Sequence, residues 1–179
     1  MRLLPYFILA YVAIAMQIGM GSLLAVGGSA PDFVLLAAIF IALQAPRESA
    51  LLGCFGLGLI HDLVSQQPLG LYALGYGIVG LLVVGSQSSL QRESPLAHIL
   101  VALVSGIVVT LVILLNQRFA PSPPVTPADP DVALPAFRTG PGALIWGVVW
   151  TTLLAPAVLW PLNKLRRHFA FDHSRWRSW

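Results

Sequence analysis

The sequence predicts an all-α fold: a polytopic membrane helical bundle of about six transmembrane helices. Three observations carry that expectation. Of 179 residues, 57% are hydrophobic and 9% are charged, against roughly 25% charged in an average soluble domain. A soluble domain of this size cannot hide so much apolar surface, because most residues of a small protein still touch solvent. The apolar residues fall into six runs, and basic residues gather on alternate connections between them. The solvent expected around the chain is therefore lipid. One integral membrane domain over 1–168 and a basic, aromatic tail over 169–179 leave no room for a separate soluble module.

The first span is expected near 5–26. No charged residue lies between Pro5 and Val26, and those 22 residues reach roughly 33 Å as a helix, enough for a hydrocarbon core of about 30 Å. Arg2 and Gly28-Ser29-Ala30 resemble the ends of a signal peptide, but the apolar run is long for one. The second and third spans, near 32–46 and 48–66, are shorter. Phe33 to Ala45 has 13 residues and Ala50 to Leu63 one more, or roughly 20 Å each as helix. Pro46-Arg47-Glu48-Ser49 between them fits a tight turn at a membrane surface. Either these are short spans lengthened by Pro31-Asp32 and by Val64 to Gln66, or they form a hairpin buried among the other helices. A re-entrant hairpin would put Arg47 at membrane depth, at about 2.5 to 3.5 kcal/mol on insertion scales, which favours two short spans.

A Gly-rich fourth span is expected near 69–87, a fifth near 95–117 and a sixth near 142–162, where Pro156 should introduce a kink. Between the last two lies an outer loop, 118–141, with seven prolines from Pro121 to Pro141, which preclude regular helix and favour extended backbone. With the N-terminus in the cytoplasm, eight of the ten Lys and Arg residues fall inside, and only Arg118 and Arg138 outside. The positive-inside rule thus puts both termini in the cytoplasm. Just before the tail, Lys164, Arg166 and Arg167, with Phe and Trp residues beyond them, suit contact with anionic lipid headgroups.

Glycines at 53, 56 and 58, then at 70, 75, 77 and 80, are expected where helices approach closely, since association in lipid depends on packing between small residues. Ala38 and Ala42 suggest the same. Cys54 is alone, so no disulfide or CxxC motif forms. His61, His98, His168 and His173 are scattered without a metal-ligand spacing, and no cofactor or metal is expected.

Asp62, with His61 beside it, stands in otherwise apolar sequence. An ionisable group in a membrane segment is a functional candidate, yet one near a helix end can reach water. No second acid lies one turn away, no nucleophile is evident, and His61 is placed on a different helix face from Asp62. Catalysis is thereby disfavoured. A partner contact remains open beside the structural reading, in which Asp62 fastens the third helix to the following turn, where Pro68 and Gly70 lead into the fourth.

Residues 31–82 resemble the MreD family of rod shape-determining proteins. The likeness lies in Pro31-Asp32 opening a short apolar span, in Gly58-Leu59-Ile60-His61-Asp62, and in Pro68-Leu69-Gly70 leading into Ala73 and Tyr76. Gly56 and Tyr72 belong to the same stretch of candidate structural and partner-contact residues. The resemblance implies a non-enzymatic scaffold of the bacterial cytoplasmic membrane. It would act with MreC and, through it, with the MreB cytoskeleton, the RodA glycosyltransferase and a penicillin-binding transpeptidase; membrane lipids are expected partners and nucleic acid is not. It also implies similarity to the substrate-binding subunits of energy-coupling-factor vitamin transporters, which makes such a subunit the alternative function. The first helix has Ala15 and Gly19 four apart, but lacks the alanine pair common in those subunits. The Pro-rich outer loop departs from the short connection expected of the family.

Overall fold

The computed structural model describes residues 4–21, 23–25, 29–65, 69–86, 95–119 and 141–165. Most of the Pro-rich loop, the tail, Pro68, Arg166 and Arg167 lie outside the described residues. These form six helices and no β-strand: α1 (Leu4–Gly21), α2 (Phe33–Gln44), α3 (Arg47–Val64), α4 (Leu71–Ser86), α5 (Pro95–Phe119) and α6 (Pro141–Leu165).

The centre of the bundle is α2. Its sequence FVLLAAIFIALQ is apolar on all sides until the final Gln44, and a helix without a polar face is stable only where every face is covered. All 12 of its residues are buried, and α1, α3, α4, α5 and α6 all pack against it. The two short segments are therefore not equivalent. At roughly 18 Å, α2 is core, whereas α3 is part of the wall and turns Leu52, Phe55, Leu59 and Leu63 outward. Around α2 the contacts run from α1 to α3, α4, α5 and α6, and among the described residues α1 and α6 have no close backbone approach. Among the described residues one helix, Ala97–Phe119, is long and apolar enough to cross a membrane by length and composition.

Local chemistry sets the boundaries. Asp32 caps α2 by accepting the Leu35 N–H on Oδ1 at 2.8 Å. Ala45 is extended, with φ −86° and ψ 157°, as expected of a residue before proline. The first helix ends at Gly21, short of the expected 26. Leu23 and Leu24 already form a turn, and Ala30 returns to lie 3.9 Å from where a Gly21 Cβ would stand. The fourth helix starts at Leu71 rather than 69 because Gly70 has φ +97°, outside the helical region. The sixth is assigned as helix straight through Pro156.

The glycines separate into different roles. A Cβ on Gly58 would lie 2.5 Å from Ala73 Cα and 2.5 Å from the Tyr72 carbonyl oxygen, so this glycine sets the closest approach of α3 to α4. Gly53 faces Ile41, Gly80 faces Cys54 and Gly75 faces Val109. Gly56 departs from the expectation: no atom lies within 4 Å of its Cβ position, because it is on the outward side of α3, between Phe55 and Leu59, both exposed.

Candidate functional site: the polar junction of α2, α3 and α4

Asp62 occupies the last turn of α3, yet it does not reach water. It is 2% exposed. Its carboxylate is turned into the start of α4: Oδ1 accepts the Tyr72 N–H at 2.9 Å, and Oδ2 accepts those of Gly70 and Ala73, both at 3.0 Å. The opening N–H groups of a helix have no intrahelical partner, and the positive end of its dipole favours an anion. Asp62 meets both needs from a neighbouring helix. The close approach permitted by Gly58 and the left-handed backbone of Gly70 bring those N–H groups within reach.

His61 is buried as well. Although adjacent residues on a helix point about 100° apart, α4 covers both, so the expected separation of their faces does not separate their surroundings. The imidazole lies against the Tyr72 ring with centroids 4.2 Å apart. Its Nδ1 is 2.8 Å from the hydroxyl oxygen of Tyr76. Tyr76 is fully buried and donates its hydroxyl proton to Asp32 Oδ2 at 2.7 Å. A phenol has one proton to give. With that proton on the Asp32 side, the His61 bond must run from Nδ1–H to the phenolic oxygen.

Asp32 thus has two roles: Oδ1 caps its own helix and Oδ2 receives Tyr76 from α4. The backbone beside it ties in two further helices. The Asp32 N–H donates to Thr151 Oγ1 of α6 at 3.0 Å, and the Phe33 N–H donates to Gln17 Oε1 of α1 at 2.8 Å. Thr151 in turn donates to the Gly147 carbonyl at 2.8 Å. The α2 N-terminus therefore gathers groups from α1, α4 and α6, and through Tyr76 it reaches His61 on α3.

Among the residues expected from sequence, the fold brings Asp32, His61, Asp62, Gly58, Gly70 and Tyr72 to one junction. Gly56 lies away from it. Lys164 lies in the last turn of α6, while Pro68, Arg166 and Arg167 fall outside the described residues. Sequence reasoning missed Tyr76 as a link and missed Gln17 and Thr151 altogether. Tyr76 carried a usable signal, since it stands one turn after Tyr72. Thr151 carried none, being 119 residues from the amide it receives.

Chemically, the junction holds helices together. Both Asp62 oxygens are occupied by backbone donors, and both Asp32 oxygens by a backbone amide and a phenol. Among the described residues no group of three or more His, Cys, Asp or Glu side chains gathers as a metal site.

Among known proteins, the family model described as rod shape-determining protein MreD matches residues 1–165 of the chain. No curated protein and no solved structure matches it, so the expected likeness to energy-coupling-factor subunits is carried by neither comparison.

Proposed function

Because the chain belongs to the MreD family of rod shape-determining proteins, we propose that it is a non-enzymatic scaffold and regulator of the bacterial elongation machinery. In this reading it sits in the cytoplasmic membrane and works with MreC in lateral peptidoglycan synthesis. Through MreC it meets MreB, RodA and the penicillin-binding transpeptidase. The family is a shape-determining one rather than an enzyme family, and the observation that best supports a scaffold is the state of the buried acids. Every carboxylate oxygen of Asp62 and Asp32 accepts a hydrogen bond from its own or a neighbouring helix, an arrangement that fixes helix positions.

The membrane setting is supported by the outside of the bundle. Large apolar side chains stand exposed on the five helices around α2, among them Tyr11, Leu52, Leu81, Leu111 and Leu153, far beyond the scattered apolar surface of a soluble monomer. The eight-to-two distribution of basic residues supports cytoplasmic termini and, with them, a polar junction toward the outer face.

Co-expression with MreC of the same organism and purification in detergent tests the reading. Stable co-elution is expected. Separate elution with a tightly retained vitamin-like molecule would favour the transporter subunit instead. Reporter fusions after Arg92 and after Trp179 should be cytoplasmic and one within 122–131 external; an external C-terminus would overturn the topology.

A further inference from the structure

The three side chains His61, Tyr76 and Asp32 form a line of two short hydrogen bonds, 2.8 and 2.7 Å, that crosses from α3 through α4 to α2 inside the bundle. We infer that this line is a proton wire, in which Asp32 determines the position of the proton on His61. The inference is independent of the scaffold reading.

With Asp32 as a carboxylate, Oδ2 can only accept, so Tyr76 donates to it and must accept from His61. The imidazole is thereby held with its proton on Nδ1, and Nε2 is the atom at which a second proton enters or leaves. Adding that proton disturbs nothing, because Nδ1–H donates in the neutral ring and in the cation alike. The line has one alternative arrangement with the same number of protons. Starting from the imidazolium, the Nδ1–H and Tyr76 O–H bonds break. A new O–H forms on Tyr76 from the histidine proton, and the old phenol proton forms an O–H bond on Asp32 Oδ2. The product is a neutral imidazole protonated on Nε2, a phenol pointing at Nδ1 and a carboxylic acid. An ion pair has become a neutral pair, with two bonds broken, two formed and no heavy atom displaced.

The groups around the line do not compete for it. Tyr72 lies against the imidazole ring at 4.2 Å between centroids, and the Asp62 oxygens are bound to the backbone of α4. Asp32 Oδ1 holds the Leu35 N–H, which leaves Oδ2 as the end of the wire. The packing of α3 on α4 and of α2 on both keeps the three groups in register without a water between them.

The test is nitrogen NMR on full-length, histidine-labelled protein in phospholipid nanodiscs, with the His61 signals identified by their loss in His61→Asn. In the wild type Nδ1 should carry a proton. In Asp32→Asn the amide oxygen keeps the Leu35 N–H, so the amide nitrogen donates to Tyr76, the phenol turns to His61, and the proton should move to Nε2. Tyr76→Phe cuts the wire and should abolish the Nδ1 preference, and adding Asp32→Asn to it should change nothing further. The same His61 tautomer in wild type and Asp32→Asn overturns the inference. If Asp32→Asn does not fold, an unchanged Nδ1–H pattern in Tyr76→Phe overturns it equally.

Discussion

Gly70 donates its backbone N–H to Asp62 Oδ2 at 3.0 Å while its own φ is +97°. The two residues specify each other. The left-handed backbone just before α4 adds the Gly70 N–H to those that Tyr72 and Ala73 already aim back at the carboxylate. An L side chain in that region costs roughly 1 to 2 kcal/mol, so Gly70→Ala should lower thermal stability by about that amount, with Gly70→Asn milder. Melting of the purified protein in one detergent checks it, and equal loss in both variants would remove the backbone explanation.

Asp62 gives a graded series. Sequence alone suggests that asparagine would serve, since it keeps an acceptor. The three N–H donors divided over two oxygens correct this: the amide nitrogen of Asp62→Asn must face at least one donor. That variant should lose about 1 to 3 kcal/mol, the cost of an unsatisfied buried group, and Asp62→Leu distinctly more. Stability measured by denaturant or heat should fall in the order Asp, Asn, Leu. Full stability of Asp62→Asn would show that the clamp is not what the carboxylate is for.

Glycines 56 and 58 lie two residues apart and should respond oppositely. Gly58→Ala drives a Cβ to 2.5 Å from the α4 backbone and should destabilise by about 1 to 3 kcal/mol, as overpacking does. Gly56→Ala meets open space and should be neutral or stabilising by about 0.5 to 1 kcal/mol, because alanine is the better helix residue. Paired melting curves decide it, and a loss in Gly56→Ala would reveal a neighbour on that face.

Thr151→Val removes the acceptor for the Asp32 N–H at nearly constant volume. A loss of about 1 to 3 kcal/mol is expected, with faster amide hydrogen exchange at Asp32, whereas Thr151→Ser should restore both. Unchanged exchange in Thr151→Val would mean that this amide is protected by something other than Thr151.

Helix number and order, and the fastening of α3 to the next turn by Asp62, were legible because they depend on local rules: apolar run length and a lone acid near a glycine turn. The end of α2 was misjudged, since the expected span ran through Ala45 to 46, whereas the residue before Pro46 is held extended. The enclosure of α2 was written in its sequence as a helix without a polar face, but burial by protein and burial in lipid select the same residues, so the two readings could not be separated. The tyrosine link was half legible. Its spacing from Tyr72 is local, whereas its meeting with Asp32 spans 44 residues and depends on how three helices cross. Gln17 and Thr151 were opaque for the same reason: each receives a main-chain amide, and an amide leaves no residue type to recognise.

That Asp32 receives its α6 partner from 119 residues downstream has a consequence for biogenesis. A ribosome adding about 5 to 20 residues per second reaches Thr151 roughly 6 to 24 s after Asp32 has been made. Throughout that interval the nascent chain holds its innermost helix with one flank uncovered and one terminal amide waiting. The final helix to emerge is the one that closes the first junction, so a chain released early is left with an unfinished centre rather than a shortened edge, and quality control has a defined interior defect to detect.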